Sequence, residues 1–201
     1  MARPSHHDRT EVLEKATELF WDKGYRGVSV SDLVAKTGLL PGSLYARFGS
    51  KEGLYAACVQ HYADIAEAWR HPFESYASPV ERIRALFRTM VAQVTAPDGH
   101  RGCFLVAASQ ECDDREPAVT AAVAACMERS VSWFARQVEA AVNAGELPPD
   151  TDVTALATSL QTVLSGVQAM ARGGVALSHL PTAAAATVDA LLAAREPTRS
   201  P

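Results

Sequence analysis

The side chains of this sequence that are best suited to molecular recognition lie between residues 29 and 51. Two short apolar patterns in this stretch each end at a glycine, and the second pattern begins at Pro41. Small side chains allow a helix to enter the DNA major groove, and the guanidinium fork of an arginine matches the O6 and N7 acceptors of guanine. The outward positions of the second pattern are small or basic: Pro41, Gly42, Ser43, Ala46 and Arg47. The chemistry indicated is non-covalent contact with nucleic acid.

Two short helices joined by a turn must position these side chains. Ser29 precedes the first helix, and Asp32 completes a capping-box pattern three residues later. Gly38 ends this helix, and Pro41 opens the second, where its missing N–H costs nothing. The inward side chains give both helices a shared core: Val30, Leu33, Val34, Leu39, Leu44 and Phe48. The pattern predicts a helix-turn-helix.

The remainder of the chain also has helical periodicity, with no convincing alternating strand. Helices are predicted for 101–112, for a long segment from Pro117 to Ala144, and for 152–172 and 181–195. The 152–172 segment has few charges and many small residues, so it is either buried on all sides or shared between subunits. We therefore expect an all-α protein.

Charge is distributed unevenly along the chain. The net charge is −4, yet residues 1–51 carry eight Lys/Arg against six Asp/Glu, and all the lysines lie there. A basic head on an acidic body suits a protein that approaches a polyanion with one end, although chance scatter of charges is the alternative.

Several other classes of protein fit the sequence poorly. It contains no GxSxG, HExxH or P-loop motif, so the hypothesis of an all-helical enzyme is weaker than that of a DNA-binding protein. A nucleoid-binding protein without a ligand pocket is a further alternative. No apolar run spans a membrane, and the first residues resemble no secretory signal, so we expect no membrane contact and a cytoplasmic location. Cys58 and His61 have ligand spacing, but two ligands make a weak site, and we expect no metal and no cofactor.

The stretch GVSVSDLVAKTGLLPGSLYARFGSKEGLY resembles the signature of the TetR family, in which TxxxIAxxxGVxxGTLYxHFxSKExL recurs. The resemblance covers residues 9–55. It implies a one-component regulator, most often a repressor, that binds a palindromic operator in double-stranded DNA as a homodimer and is released by a small-molecule effector. With the helical pattern, which divides the chain into a short head and a longer body, it predicts a DNA-binding domain at 1–52 and a ligand-binding and dimerisation domain at 53–195. We expect residues 196–201 to be a disordered tail.

The resemblance also implies roles for individual residues. By position, Ser29, Tyr45 and Lys51 would contact phosphate, whereas Gly42, Ser43, Ala46 and Arg47 would meet bases. Arg3, His6 and Arg9 could form an arm on the minor groove or phosphates. The alternative for Tyr45 is a packing aromatic, and the alternative for Arg47 is a solvated surface charge.

The body of a TetR-like protein holds an effector pocket, and 152–172 and 181–195 would form the dimer. The candidate lining residues of this pocket are Phe87, Met90, Phe104, Met127, Trp133, Phe134 and Gln161. Their mostly apolar character predicts an apolar effector. Aromatic and methionine side chains at helical spacing also occur in an ordinary core, so core packing is the alternative for each candidate.

The segment RGCFLVAASQE resembles one in the TetR subgroup that includes the N-ethylmaleimide-responsive repressor, where a cysteine senses electrophiles or oxidants. Cys103 occupies that position, and a helix N-terminus together with Arg101 and His100 would favour its thiolate. The alternative is a buried packing cysteine. The body contains no lysine, so a sensor that traps its cysteine with lysine is excluded.

Overall fold

A computed structural model describes residues 9–96, 99, 101–111, 117–174 and 177–193. Within these ranges the chain is all-α, as predicted, and no strand occurs. The α-helices are α1 (Arg9–Gly27), α2 (Val30–Thr37), α3 (Pro41–Phe48), α4 (Lys51–Ala68), α5 (Pro79–Thr95), α6 (Phe104–Glu111), α7 (Pro117–Asn143), α8 (Val153–Arg172) and α9 (Leu180–Leu192), with a short 3-10 helix at His71–Ser75.

Two predicted helix ends were wrong. The helix predicted for 101–112 begins at Phe104, because Gly102 has φ +69, which is outside the helical region and interrupts the hydrogen bonding there. The last helix ends at Leu192 rather than at 195, and residues 194–201, including the predicted tail, lie outside the described residues. None of the described helices is long and apolar enough to cross a membrane.

The chain divides into two compact units, and each is discontinuous in sequence. The first combines Met1–Ala66 with Phe104–Cys126, and the second combines Glu67–Cys103 with Met127–Pro201. The boundary predicted between residues 52 and 53 is not tested by this division and stays a prediction.

Helix α6 packs against α1 within the first unit, through aromatic rings and one carboxylate. The Phe104 ring lies 5.5 Å from that of Tyr55 and 6.0 Å from that of Trp21, centroid to centroid. Gly24 has φ +73 inside α1, and the next backbone N–H, that of Tyr25, donates to Glu111 Oε2 at 2.5 Å. Side chains other than glycine rarely adopt this positive φ, and a Cβ at Gly24 would also lie 2.5 Å from Glu111 Oε1, so that carboxylate would have to move. We name this contact the Glu111 cap.

The core of the second unit is built by α5, α7, α8 and α9. Phe87, Trp133 and Phe134 are its large aromatic members, and all are at most 3% exposed. Side chains start two of these helices: the Ser78 hydroxyl accepts from Glu81 N–H, and the Asp152 carboxylate accepts from Ala155 N–H. These helices carry the ligand-binding candidates other than Phe104.

Candidate functional site

The start of α2 has the capping box that its sequence predicts. Asp32 N–H donates to Ser29 Oγ at 3.1 Å, and Ser29 N–H donates to Asp32 Oδ2 at 2.8 Å. Lys23 Nζ donates to Asp32 Oδ1 at 3.0 Å. The pKa of Asp32 is held well below its ordinary value, first by the hydrogen bond from the Ser29 hydroxyl and then by those from the Ser29 backbone and Lys23. The carboxylate is therefore ionised whenever the head is folded near neutral pH.

Ser29 therefore has a structural task besides the predicted phosphate contact. Its hydroxyl donates its single proton to Asp32 Oδ2 at 2.5 Å while it accepts from Asp32 N–H. A phosphate oxygen needs a donor, so this proton must turn away from Asp32 before Ser29 can bind phosphate.

The turn between α2 and α3 aims the second helix outward. Gly38 adopts the left-handed conformation at φ 76 and donates its N–H to Val34 O, which ends α2. Leu39 and Leu44 are buried at 4% and 0% exposure and anchor α3 from both sides. Leu40 is 71% exposed at the start of α3, a position for which the sequence pattern predicted no role.

The outer face of α3 is formed by the residues predicted to meet bases. Gly42, Ser43, Ala46 and Arg47 are all exposed. A Cβ built on Gly42 would meet nothing within 4 Å. No contact inside the described protein therefore requires a glycine there, and glycine within a helix is destabilising relative to alanine. The absence of a side chain suits close approach by something outside the chain.

The predicted phosphate-contacting residues flank this face. Tyr45 is 43% exposed, so part of its side chain is covered and part reaches solvent, and both of its interpretations stay open. Lys51 opens α4, and its ammonium lies 4.4 Å from the centroid of the Tyr25 ring. Arg9 lies over the Phe48 ring at 5.2 Å, whereas Arg3 and His6 fall outside the described residues.

The structure brings together most of the predicted effector-binding residues. Phe87, Met90, Trp133 and Phe134 belong to or pack against the core of the second unit. Phe104 instead lies in the first unit, among the rings of Trp21, Tyr55 and Tyr62. Met127 and Gln161 join the second unit through a contact of 3.9 Å between Gln161 Nε2 and Met127 Sδ. A groove of about 500 Å³ lies between α5 and α9, and Phe87 is among its lining residues.

Buried polar side chains accompany these apolar ones, and sequence reasoning missed most of them. Ser130, Gln161 and Gln168 are 4%, 9% and 5% exposed. The Ser130 hydroxyl donates to Gln161 Oε1 at 2.5 Å and accepts from Arg70 Nη2 at 2.6 Å. A usable signal existed, because two glutamines seven residues apart share one face of a helix and interrupt the apolar stripe of α8.

The cysteines are buried where the structure describes them. Cys103 is 8% exposed directly before α6, and Cys112 lies outside the described residues. Burial raises the pKa of the Cys58 thiol to about 12, so it stays protonated and is unsuited to bind a metal. No group of three possible metal ligands occurs among the described residues.

Helix α8 has one buried and one exposed face, so it is not enclosed on all sides. Its exposed face is free of charge as far as Arg172, and on α9 the exposed face carries one charge, Asp189, which pairs with Arg84 at 2.9 Å. A Cβ on Gly166 would meet nothing within 4 Å. The exposed residues of α8 before Arg172 are Thr154, Ala155, Thr158, Thr162, Gly166 and Met170.

Two family models match this chain, one near its N-terminus and one over most of the remainder. A family model described as bacterial regulatory proteins, tetR family, matches residues 12–58. A second, described as tetracyclin repressor-like, C-terminal domain, matches residues 79–188.

Individual relatives agree with these matches. The HTH-type transcriptional repressor ComR of Escherichia coli (strain K12) is 35% identical over 192 residues, which is 92% of this chain and 90% of ComR. The regulator YezE of Bacillus subtilis (strain 168) is 29% identical over 162 residues, 80% of this chain and 84% of YezE. A solved structure of the TetR family regulator CifR, a cysteine mutant complexed with a 26-bp operator DNA, is 33% identical, covers 94% of this chain and 99% of its own, and superimposes with a TM-score of 0.83. The chain thus belongs to the TetR family of bacterial regulatory proteins, and it is a regulator of transcription rather than an enzyme.

Proposed function

We propose that this protein is a repressor that binds a palindromic operator as a homodimer and is released by a small molecule held in its body. The observation that carries the DNA-binding part is the outer face of α3, where small exposed side chains surround Arg47. No contact within the described protein requires the glycine at position 42 on this face. The similarity to CifR, whose structure contains operator DNA, supports the same interpretation. Because the operator would lie on the chromosome, we expect the protein to act in the cytoplasm.

Within this proposal the two kinds of contact have separate tasks. Tyr45, Lys51 and Ser29 set the register on the phosphates and carry the salt dependence of binding. Arg47 selects a guanine, whereas Ala46 offers only a methyl group and can favour a thymine methyl. Leu40, exposed at the start of α3, adds an apolar contact at the edge of this surface.

Fluorescence anisotropy on DNA tests the proposal. Fragments from the region upstream of the protein's own gene, each containing one palindrome, are compared with scrambled fragments of equal length and composition. We expect one palindrome to bind at least about 1,000-fold more tightly than its scrambled control at physiological salt. Equal affinity for both would favour a nucleoid-binding protein, and no binding at low salt would end the proposal.

The proposed dimer uses the outer faces of α8 and α9. These faces combine small and apolar side chains with few charges, and Gly166 leaves room for another helix to approach. Two such faces from two copies would form a closed, two-fold interface. Sedimentation equilibrium should show a dimer at micromolar concentration, and a monomer at 50 μM would contradict the proposal.

We also propose a response to electrophiles through Cys103, as the resemblance of its segment to the N-ethylmaleimide-responsive subgroup implies. Cys103 as a whole is 8% exposed, so a reagent must be small or must wait for local opening. N-ethylmaleimide should release wild-type protein from its operator but leave Cys103→Ser bound. Cys58→Ser is the matched control and should respond like wild type, because Cys58 is fully buried and protonated. Equal indifference of wild type would end this part.

A further inference from the structure

Trp133 has a hydrogen-bond donor that the described protein does not use. The residue is 2% exposed within the core of the second unit, and its indole Nε1 has no hydrogen-bond partner among the described residues. A buried N–H without an acceptor loses its hydration without compensation, so such groups are rare and call for an explanation.

The polar groups around Trp133 are rich in donors. The Arg70 guanidinium lies over the Trp133 ring, 5.7 Å from its centroid, and Arg70 Nη2 donates to Ser130 Oγ. Gln161 Nε2 donates to Ser165 Oγ at 3.0 Å, and its second contact is a thioether, a weak acceptor, at 3.9 Å. We name Arg70, Ser130, Trp133 and Gln161 the polar cluster; no carboxylate belongs to it.

The charges beside the polar cluster have the sign that attracts an anion. The pKa of Glu67 is lowered, first by the hydrogen bond from Arg129 and also by the positive charges of Arg136 and Arg70. Among the described residues, three guanidinium groups therefore act on the Glu67 carboxylate, and one of them, Arg129, is its ion-pair partner. A local excess of positive charge raises the concentration of anions near it.

We propose that the effector is a small organic acid whose carboxylate accepts hydrogen bonds from the Trp133 indole N–H and the Arg70 guanidinium. Its apolar part would pack on Phe87 and Phe134, whose rings lie 5.9 Å apart in the same core. An acid is favoured over a neutral carbonyl compound because the guanidinium is a cation and both groups only donate. This inference rests on the proposed function, since it names the class of effector, and it replaces the purely apolar effector that the sequence predicted.

Tryptophan fluorescence can report on this site directly. The protein has three tryptophans, so Trp21→Phe combined with Trp69→Phe leaves Trp133 as the single tryptophan, which is excited selectively over tyrosine at long wavelength. The probes are matched pairs of acid and amide: butyrate and butyramide, benzoate and benzamide, phenylacetate and phenylacetamide. At least one acid should change the emission saturably and bind at least 10-fold more tightly than its amide. If no acid exceeds its amide, the inference is overturned.

Two variants examine the proposed contacts by calorimetry. Trp133→Phe keeps an aromatic ring and removes the N–H, and it should weaken binding of the acid at least 10-fold, whereas Trp69→Phe should leave binding unchanged. Arg70→Gln removes the charge and should abolish the preference for acid over amide, which a general loss of packing would not do. Melting temperatures of the acid-free variants are measured alongside, because a folding defect would lower them.

The outcomes separate this inference from the repressor proposal. If Trp133→Phe binds the acid as tightly as wild type, the carboxylate site is wrong. In that case specific operator binding, measured on the same preparation, still decides the proposed function independently. If wild-type protein does not bind the operator specifically, that result contradicts the proposed function itself.

Discussion

Helices α3 and α8 each present an exposed glycine that nothing in the described protein requires. A Cβ at Gly42 or at Gly166 would meet no atom within 4 Å, and neither residue is among the positive-φ glycines. Gly166 lies in the interior of α8, where alanine is clearly the more stable choice, whereas Gly42 lies in the first turn of α3, where the advantage of alanine is smaller. The two sites differ in what surrounds the glycine: a basic arginine on α3, and uncharged small side chains on α8. The comparison suggests that DNA covers the first face and a second copy of the chain covers the other.

Gly166→Arg should give the largest effect that distinguishes the two faces. A guanidinium placed on the proposed dimer face would be buried without a partner, which costs about 3 kcal/mol or more and weakens the dimer roughly 100-fold. Sedimentation equilibrium measures the change. Glu139→Arg, on an exposed position of α7, is the matched control and should leave the dimer intact. A dimer that tolerates the Gly166→Arg substitution would place the interface elsewhere.

Arg47→Ala should come next. Loss of a bidentate contact with guanine weakens specific binding by about 1–3 kcal/mol and relaxes the choice of base at one operator position. Anisotropy on operator and on scrambled DNA gives both affinities. Arg88→Ala, an exposed arginine of the second unit, is the control. If Arg47→Ala weakens both affinities equally, Arg47 contacts phosphate instead.

Gly42→Ala should change stability and function in opposite directions. The added methyl group stabilises the helix by up to about 1 kcal/mol, because alanine loses less backbone entropy on folding. On the surface that faces DNA, the same methyl group should reduce operator affinity. Urea denaturation and anisotropy measure the two quantities, and the dimer should be unaffected. Unchanged operator affinity would show that Gly42 does not approach the DNA closely.

Asp32 should give the smallest effect, and that effect should depend on pH only in acid. Its pKa is lowered in the folded head, so its contribution to stability is present above the unfolded pKa of about 4 and is lost as the pH falls toward the folded value. The difference in the free energy of unfolding between wild type and Asp32→Asn should therefore be constant from pH 7 to about pH 5 and should begin to shrink as the pH falls to 3. Glu67→Gln, which removes a second described carboxylate whose pKa is lowered, is the matched control for loss of an ionised carboxylate outside the capping box. A constant difference would contradict the capping box as the cause.

The sequence predicted the head more completely than the body, for a physical reason. Ser29, Asp32, Gly38 and Leu44 act on neighbours within a few residues, so spacing alone indicates their roles. The contact of Ser130 with Arg70 joins positions 60 residues apart, and that of Ser130 with Gln161 joins positions 31 apart. Local periodicity carries no information on such pairs, nor on the packing of the Phe104 ring beside Tyr55 in the first unit, away from the other effector candidates.

The Glu111 cap has a consequence for anyone who wishes to study DNA binding with a shortened protein. A fragment cut after α4 would contain the complete helix-turn-helix, yet it would lack the acceptor for Tyr25 N–H and the Phe104 ring that covers Tyr55. Bare aromatic surface of this kind promotes aggregation. A useful miniature of this protein therefore has to be assembled from two separate stretches of the chain, with α6 joined back through a linker.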